Sequence, residues 1–65
     1  MKLKINNQPV LLDEGSTLTQ AISQFGASGQ FAVALNGQFV SKQHYPITTL
    51  NGDDKVEILA PLEGG

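Results

Sequence analysis

The sequence predicts an α+β fold in which a mixed sheet of about five strands packs against one main helix. Three features lead to this prediction: short segments that alternate apolar and polar residues, one apolar stripe at helical spacing, and turn dipeptides between strands. A chain of 65 residues forms one small domain, because folding at this size buries only about 60% of the unfolded surface. We place that domain at residues 1–60 and a projecting, flexible tail at residues 61–65.

The first two predicted strands form an N-terminal hairpin. Residues 2–5 alternate so that Leu3 and Ile5 share one face, as in a half-buried strand. The polar residues 6–8 supply a turn, and residues 10–12 follow as the second strand. The hairpin therefore presents an apolar face on which a helix can pack.

The main helix is predicted to begin after Thr17. Thr17 and Gln20 have the spacing of a capping box, in which each side chain bonds to the main chain of the other residue. Gly26 can adopt the left-handed conformation that ends a helix. The residues between form one apolar stripe at spacings of three and four: Leu18, Ala21, Ile22 and Phe25.

A second hairpin is predicted within residues 31–40. Asn36-Gly37 is the dipeptide that best occupies the two positive-φ positions of a type I′ turn. A two-residue turn places Leu35 opposite Gln38, and this register assigns the faces. Val33, Leu35 and Val40 then point inward, whereas Ala32, Ala34 and Phe39 point outward. A slip of one residue would instead bury Phe39.

The remaining elements are a crossover over residues 41–50 and a final strand over residues 55–60. We expect Ile47 and Leu50 to pack beneath the crossover. In the final strand Val56 and Ile58 face the core, and the alternate residues Lys55, Glu57 and Leu59 face solvent. This order of two strands, helix, two strands, crossover and strand is that of the β-grasp, or ubiquitin-like, fold.

Composition excludes several classes of function. The chain has no cysteine, one histidine and a net charge of −2, so we expect no thiol nucleophile, catalytic triad, metal site or nucleic-acid partner. Its longest apolar run, residues 31–35, is too short to span a membrane. We therefore expect a cytoplasmic protein that has no membrane partner, binds no cofactor and is not an enzyme.

The C-terminal tail is the candidate functional site. The final strand passes through Pro61 into Gly64 and Gly65, and five residues reach roughly 17 Å when extended. Terminal glycines contribute nothing to a core, and a frayed end is the plain alternative. Glycines without a Cβ can instead pass through a narrow channel and bring the terminal carboxylate to a nucleotide on another protein. Adenylation with ATP followed by attack of a sulfur nucleophile would leave a thiocarboxylate on Gly65.

A docking surface is predicted on the outer side of the sheet. A carrier must bind several proteins, and the facing assignment leaves four apolar residues exposed there: Ala32, Ala34, Phe39 and Leu59. Isolated exposed apolar residues are also common on surfaces that bind nothing. Leu59 is the strongest member of the set because it lies just before the tail.

The chain resembles the ThiS family of sulfur carriers over almost its whole length. Three segments carry the resemblance: residues 34–37 (Ala-Leu-Asn-Gly), residues 54–59 (Asp-Lys-Val-Glu-Ile-Leu) and the tail Pro61-Leu62-Glu63-Gly64-Gly65. The resemblance implies that the last strand lies beside the first, parallel to it and central in the sheet.

The resemblance also implies three partners and a covalent site. A ThiF-like enzyme would consume ATP to adenylate Gly65, a cysteine desulfurase or other donor would supply sulfur, and a ThiG-like thiazole synthase would receive it. Residues Pro61, Leu62, Glu63 and Gly64 would thread into the partner, and the free chain would be a monomer. Two alternatives stay open: a MoaD-like carrier for molybdopterin synthesis, and a ubiquitin-like docking module or protein modifier.

Overall fold

A computed structural model describes residues 1–60 of the chain. Within this part, five strands form one mixed sheet in the spatial order β2-β1-β5-β3-β4, and a helix and a 3₁₀ helix complete the fold. The elements in chain order are β1 (Lys2–Ile5), β2 (Gln8–Leu11), α1 (Leu18–Phe25), β3 (Ala32–Leu35), β4 (Gln38–Val40), the 3₁₀ helix (Lys42–Ile47) and β5 (Lys55–Leu59). Strand β5 lies between β1, to which it is parallel, and β3, to which it is antiparallel. The predicted β-grasp fold is confirmed.

The N-terminal hairpin turns at two asparagines. Asn6 and Asn7 have φ values of 51° and 67°, the left-handed conformation that a type I′ turn needs at both central positions. Strand β2 begins at Gln8, two residues before the predicted start, and includes Pro9. Proline is tolerated there because β2 is an edge strand, and on its open edge no neighbouring strand needs an N–H donor from Pro9.

The second hairpin has the predicted register and faces. Leu35 is opposite Gln38, Ala34 is opposite Phe39, and Val33 is opposite Val40. Asn36 and Gly37 form the turn with φ values of 51° and 85°. Val33 is buried, Leu35 and Val40 pack against the core, and Phe39 is exposed.

Helix α1 begins and ends where the sequence predicts. The side-chain oxygen of Gln20 accepts a hydrogen bond from the Thr17 N–H at 2.7 Å, which satisfies one amide at the start of the helix. Gly26 ends the helix with φ 89° and donates its N–H to the Ile22 carbonyl. Phe25, the last residue of this eight-residue helix, stays 40% exposed, so its place in the buried stripe was predicted wrongly.

The core lies between the sheet and the layer formed by α1 and the crossover. Within residues 1–60, the buried apolar side chains are Leu3, Ile5, Leu12, Leu18, Ala21, Ile22, Val33, Tyr45, Leu50, Val56 and Ile58. The crossover is tied to the start of the helix by two main-chain hydrogen bonds, from Leu50 to Ser16 at 2.8 Å and from Leu18 to Thr48 at 3.0 Å.

One crossover residue was placed on the wrong side. Ile47 is 72% exposed, whereas Tyr45 is buried and stacks on Phe31 with ring centroids 6.3 Å apart. Residues Lys42–Ile47 form a 3₁₀ helix, which has three residues per turn. Two residues separated by two positions therefore point in different directions, and only Tyr45 reaches the core. Leu50 is buried as predicted.

Candidate functional site

Four apolar side chains come together on the outer face of the sheet, and we call them the apolar patch: Ala32, Ala34, Phe39 and Leu59. The strand registers place Ala32 opposite Leu59 and Ala34 opposite Phe39. Leu59 is 59% exposed and Phe39 is 72% exposed, while the two alanines are half-buried between them. The patch thus has the position predicted from the sequence, and its role in docking stays a prediction.

Lysine side chains occupy the outer face of β1 and the start of β5. Lys2, Lys4 and Lys55 are exposed on β1 and β5, and Lys4 is directly in register with Lys55. Glu57 is opposite Ala34 and lies at the edge of the apolar patch. Among residues 1–60, the one ion pair joins the Met1 amine to Glu14 at 3.7 Å. The three lysines therefore lie on one part of the outer face, and the apolar patch lies on another.

A surface cleft adjoins the apolar patch where β5 ends. It has a volume of about 360 Å³ and is lined by Gln30, Phe31, Ala32, Leu59 and Ala60. Phe31 and Gln30 were not among the predicted site residues. The register of Ala32 with Leu59 brings Ala60 close to Phe31, and neither strand alone indicates that register.

Asparagines in the two hairpin turns bind the main chain of β5, a function that the sequence analysis missed. At the start of β5, the Asn36 side-chain oxygen accepts from the Lys55 N–H at 2.9 Å. Near its end, the Asn6 side chain accepts from the Ile58 N–H at 2.8 Å and donates to the Ile58 carbonyl at 3.1 Å. The sequence predicts that both asparagines lie in turns, but only the tertiary structure shows that each one bonds to β5.

The covalent site and the threading residues lie outside the described residues: Pro61, Leu62, Glu63, Gly64 and Gly65. They follow Ala60, which is exposed and comes directly after the last residue of β5. The residues predicted to carry the chemistry thus follow the central strand in sequence, and the last residue of that strand, Leu59, belongs to the apolar patch.

Neither a metal-binding cluster nor a membrane-spanning helix occurs in the described part of the chain. No group of three histidine, aspartate or glutamate side chains within residues 1–60 is placed to hold a metal ion. In the same residues, no helix has the length and apolar character needed to cross a membrane.

Comparison with known proteins decides the family. The model of the ThiS family matches residues 3–65, which is nearly the whole chain. This chain belongs to the ThiS family. None of the proteins with curated functions matches the sequence.

Solved structures of ThiS proteins have the same fold. The chain is similar to the crystal structure of the thiamine biosynthesis protein ThiS from Geobacter metallireducens, with 29% identity, a TM-score of 0.82 and full coverage of both chains. It is also similar to the solution structure of a thiamine biosynthesis protein from Geobacter metallireducens, with 29% identity and a TM-score of 0.79. That match covers 100% of this chain and 88% of the other. The resemblance inferred from the tail and the two strand segments is thus confirmed.

Proposed function

We propose that this ThiS family member is a sulfur carrier in thiamine biosynthesis and that Gly65 holds the sulfur. The observation that carries the proposal is the family match, which extends through Gly65 and includes the whole tail. The similar structures are thiamine biosynthesis proteins, which favours this pathway over molybdopterin synthesis. The protein would act in the cytoplasm, as a monomer when it is not bound to a partner.

The proposed chemistry takes place on the terminal carboxylate, which is a poor electrophile until one oxygen becomes a leaving group. A ThiF-like enzyme binds ATP, and the Gly65 carboxylate attacks its α-phosphorus, so that pyrophosphate leaves and an acyl adenylate forms. The outer sulfur of a persulfide on a cysteine desulfurase or other donor then attacks the carbonyl carbon and displaces AMP, and a thiol reduces the resulting acyl disulfide by cleaving its S–S bond. The product is a thiocarboxylate, which a ThiG-like thiazole synthase accepts as its sulfur source.

The chain itself serves as a protein cosubstrate in this scheme. It contains no cysteine, so it has no thiol on which to hold sulfur as a persulfide. Its contribution is to present the carboxylate at the end of a narrow tail, where Gly64 and Gly65 have no side chain to obstruct a partner's channel. Five residues beyond Ala60 give this tail a reach of roughly 17 Å.

The apolar patch is the proposed docking surface for these partners. Exposed aromatic and aliphatic side chains in one continuous patch are typical of protein interfaces. Leu59 belongs to the patch and lies one residue before Ala60, so a partner bound to the patch would also lie beside the start of the tail. A partner that docks on the patch would therefore be in position to receive the tail that carries Gly65.

ATP–pyrophosphate exchange with a ThiF-like enzyme tests the first chemical step. We expect exchange that depends on the chain and falls roughly 100-fold or more when Gly65 is deleted, because the carboxylate then moves by a full residue. A matched control is Gly52→Ala, whose added Cβ would have only an ordinary 3.9 Å contact with the Lys2 carbonyl. Undiminished exchange by the shortened chain, or none by the complete chain, would contradict the proposal.

A further inference from the structure

We propose that Asn6 is a positioning residue that fixes the end of β5, from which the tail begins, for delivery of Gly65. The inference rests on the proposed function and concerns how the fold holds the last residues of β5. Asn6 is distant from Gly65 in the sequence, but its side chain is bonded to Ile58, which lies seven positions before Gly65.

The side chain of Asn6 continues the ladder between β1 and β5 after β1 has turned away. The main-chain ladder consists of evenly spaced bonds, including Lys4 N–H to the Asp54 carbonyl at 3.0 Å and Asn6 N–H to the Val56 carbonyl at 2.9 Å. The next bonds would need β1 to run on beside Ile58. The chain instead enters the type I′ turn at Asn6, and the side-chain amide supplies the missing acceptor and donor.

These bonds act at the end of β5, just before the tail begins. Strand β5 ends at Leu59, which is paired with Ala32 on its other side. Without the Asn6 amide, the groups of Ile58 that face β1 would bond only to water, and the end of β5 would be held on one side. Strand ends held in this way open more often than doubly paired ones.

Asparagine meets both requirements of position 6. It tolerates the left-handed φ of 51°, and its amide offers an oxygen acceptor and an NH₂ donor. The two contacts also fix the orientation of the amide, because exchanging its oxygen and nitrogen would place like groups opposite both main-chain atoms of Ile58. Glycine would meet only the conformational requirement. Aspartate would offer acceptors for hydrogen bonds but no donor.

A loose strand end would affect the chemical step more than docking. Transfer requires the carboxylate to sit at the reacting phosphorus, where an error of about 1 Å is costly in rate. The apolar patch is on the outer face and includes none of the atoms that Asn6 contacts. Loss of the Asn6 side chain should therefore lower kcat and leave KM for the carrier nearly unchanged.

The test compares Asn6→Gly with Asn7→Gly. Both positions have positive φ, so glycine keeps the turn in each, but of these two asparagines only Asn6 has a side-chain hydrogen bond to β5 in the described part of the chain. We expect Asn6→Gly to speed hydrogen exchange of the Ile58 amide about 10-fold. We also expect it to lower kcat for ATP–pyrophosphate exchange about 3- to 10-fold with KM within about twofold. Asn7→Gly should match the wild type in both measurements.

Asn6→Asp is the second variant. It keeps an acceptor for the Ile58 N–H but places a carboxylate beside the Ile58 carbonyl, so its protection of that amide should lie between those of wild type and Asn6→Gly. Equal Ile58 exchange in wild type and Asn6→Gly would overturn the clamp, by which we mean the two side-chain hydrogen bonds of Asn6 to Ile58. Faster exchange with unchanged kcat would overturn its role in delivery. Failure of the wild-type chain to support any reaction would instead overturn the proposed function, and hydrogen exchange would still decide the clamp.

Discussion

Leu59 and Leu11 are exposed leucines on the same face of the sheet, yet their surroundings differ. Leu59 is 59% exposed and adjoins Ala32 in the apolar patch. Leu11 is 72% exposed and lies on edge strand β2, opposite Lys2. Leu59 therefore belongs to a continuous apolar surface, whereas Leu11 lies beside a lysine.

Replacing Leu59 should weaken docking without unfolding the protein. We expect Leu59→Gln to reduce affinity for a ThiF-like or ThiG-like partner about 10-fold or more, because an apolar side chain is lost from the interface. The free energy of unfolding should change by no more than about 0.5 kcal/mol. Titration calorimetry and urea unfolding measure the two quantities. Leu11→Gln is the matched control, and an equal loss of affinity in both variants would contradict a docking role for the patch.

Tyr45 and Ile47 should differ sharply in their effect on stability. Tyr45 is buried and stacked on Phe31, whereas Ile47 is 72% exposed. We expect Tyr45→Ala to lower the free energy of unfolding by about 3 kcal/mol through loss of a buried aromatic ring. Ile47→Ala should change it by no more than about 0.5 kcal/mol. Chemical denaturation measures both changes. A large loss of stability in Ile47→Ala would show that Ile47 packs beneath the crossover, as the sequence predicts.

At the scale of elements, turns specify the sheet. A two-residue type I′ turn fixes the register of β3 with β4, so the facing of Val33 and Phe39 could be predicted from the sequence. The crossover gives no comparable signal, because its residues show neither strand nor helix periodicity, and the side that Tyr45 occupies depends on the 3₁₀ conformation. The register of β3 with β5 also could not be predicted, since no turn joins these strands. The cleft at Phe31 depends on that register.

The turn between β3 and β4 should be sensitive to a Cβ at Gly37. Gly37 has φ 85° with open space around it, so an alanine there is strained by its backbone and not by a clash. We expect Gly37→Ala to lower the free energy of unfolding by about 1–2 kcal/mol. Gly52→Ala, where no positive φ is needed, should be neutral or stabilising by up to about 1 kcal/mol. Thermal unfolding of both variants tests the turn assignment, which equal effects would contradict.

At the scale of the whole molecule, strand β5 connects the fold to the proposed chemistry. It is the central strand, it contributes Val56 and Ile58 to the core and Leu59 to the apolar patch, and it leads to the tail. Its parallel pairing with β1 joins the first and last strands of the described residues, and this placement was expected from the family resemblance because no local pattern encodes it. The clamp by Asn6 escaped prediction for the same reason, since residues 6 and 58 meet only in the folded chain.

The mass of the C-terminus after reaction tests the proposed carrier function directly. The purified chain is incubated with ATP, a sulfide source and a ThiF-like enzyme, and intact and C-terminal fragment masses are recorded. We expect the mass increase of one oxygen replaced by sulfur, located at Gly65 and dependent on ATP. An unchanged terminus in the presence of an enzyme that consumes ATP with its own carrier would contradict the carrier function and favour a docking module.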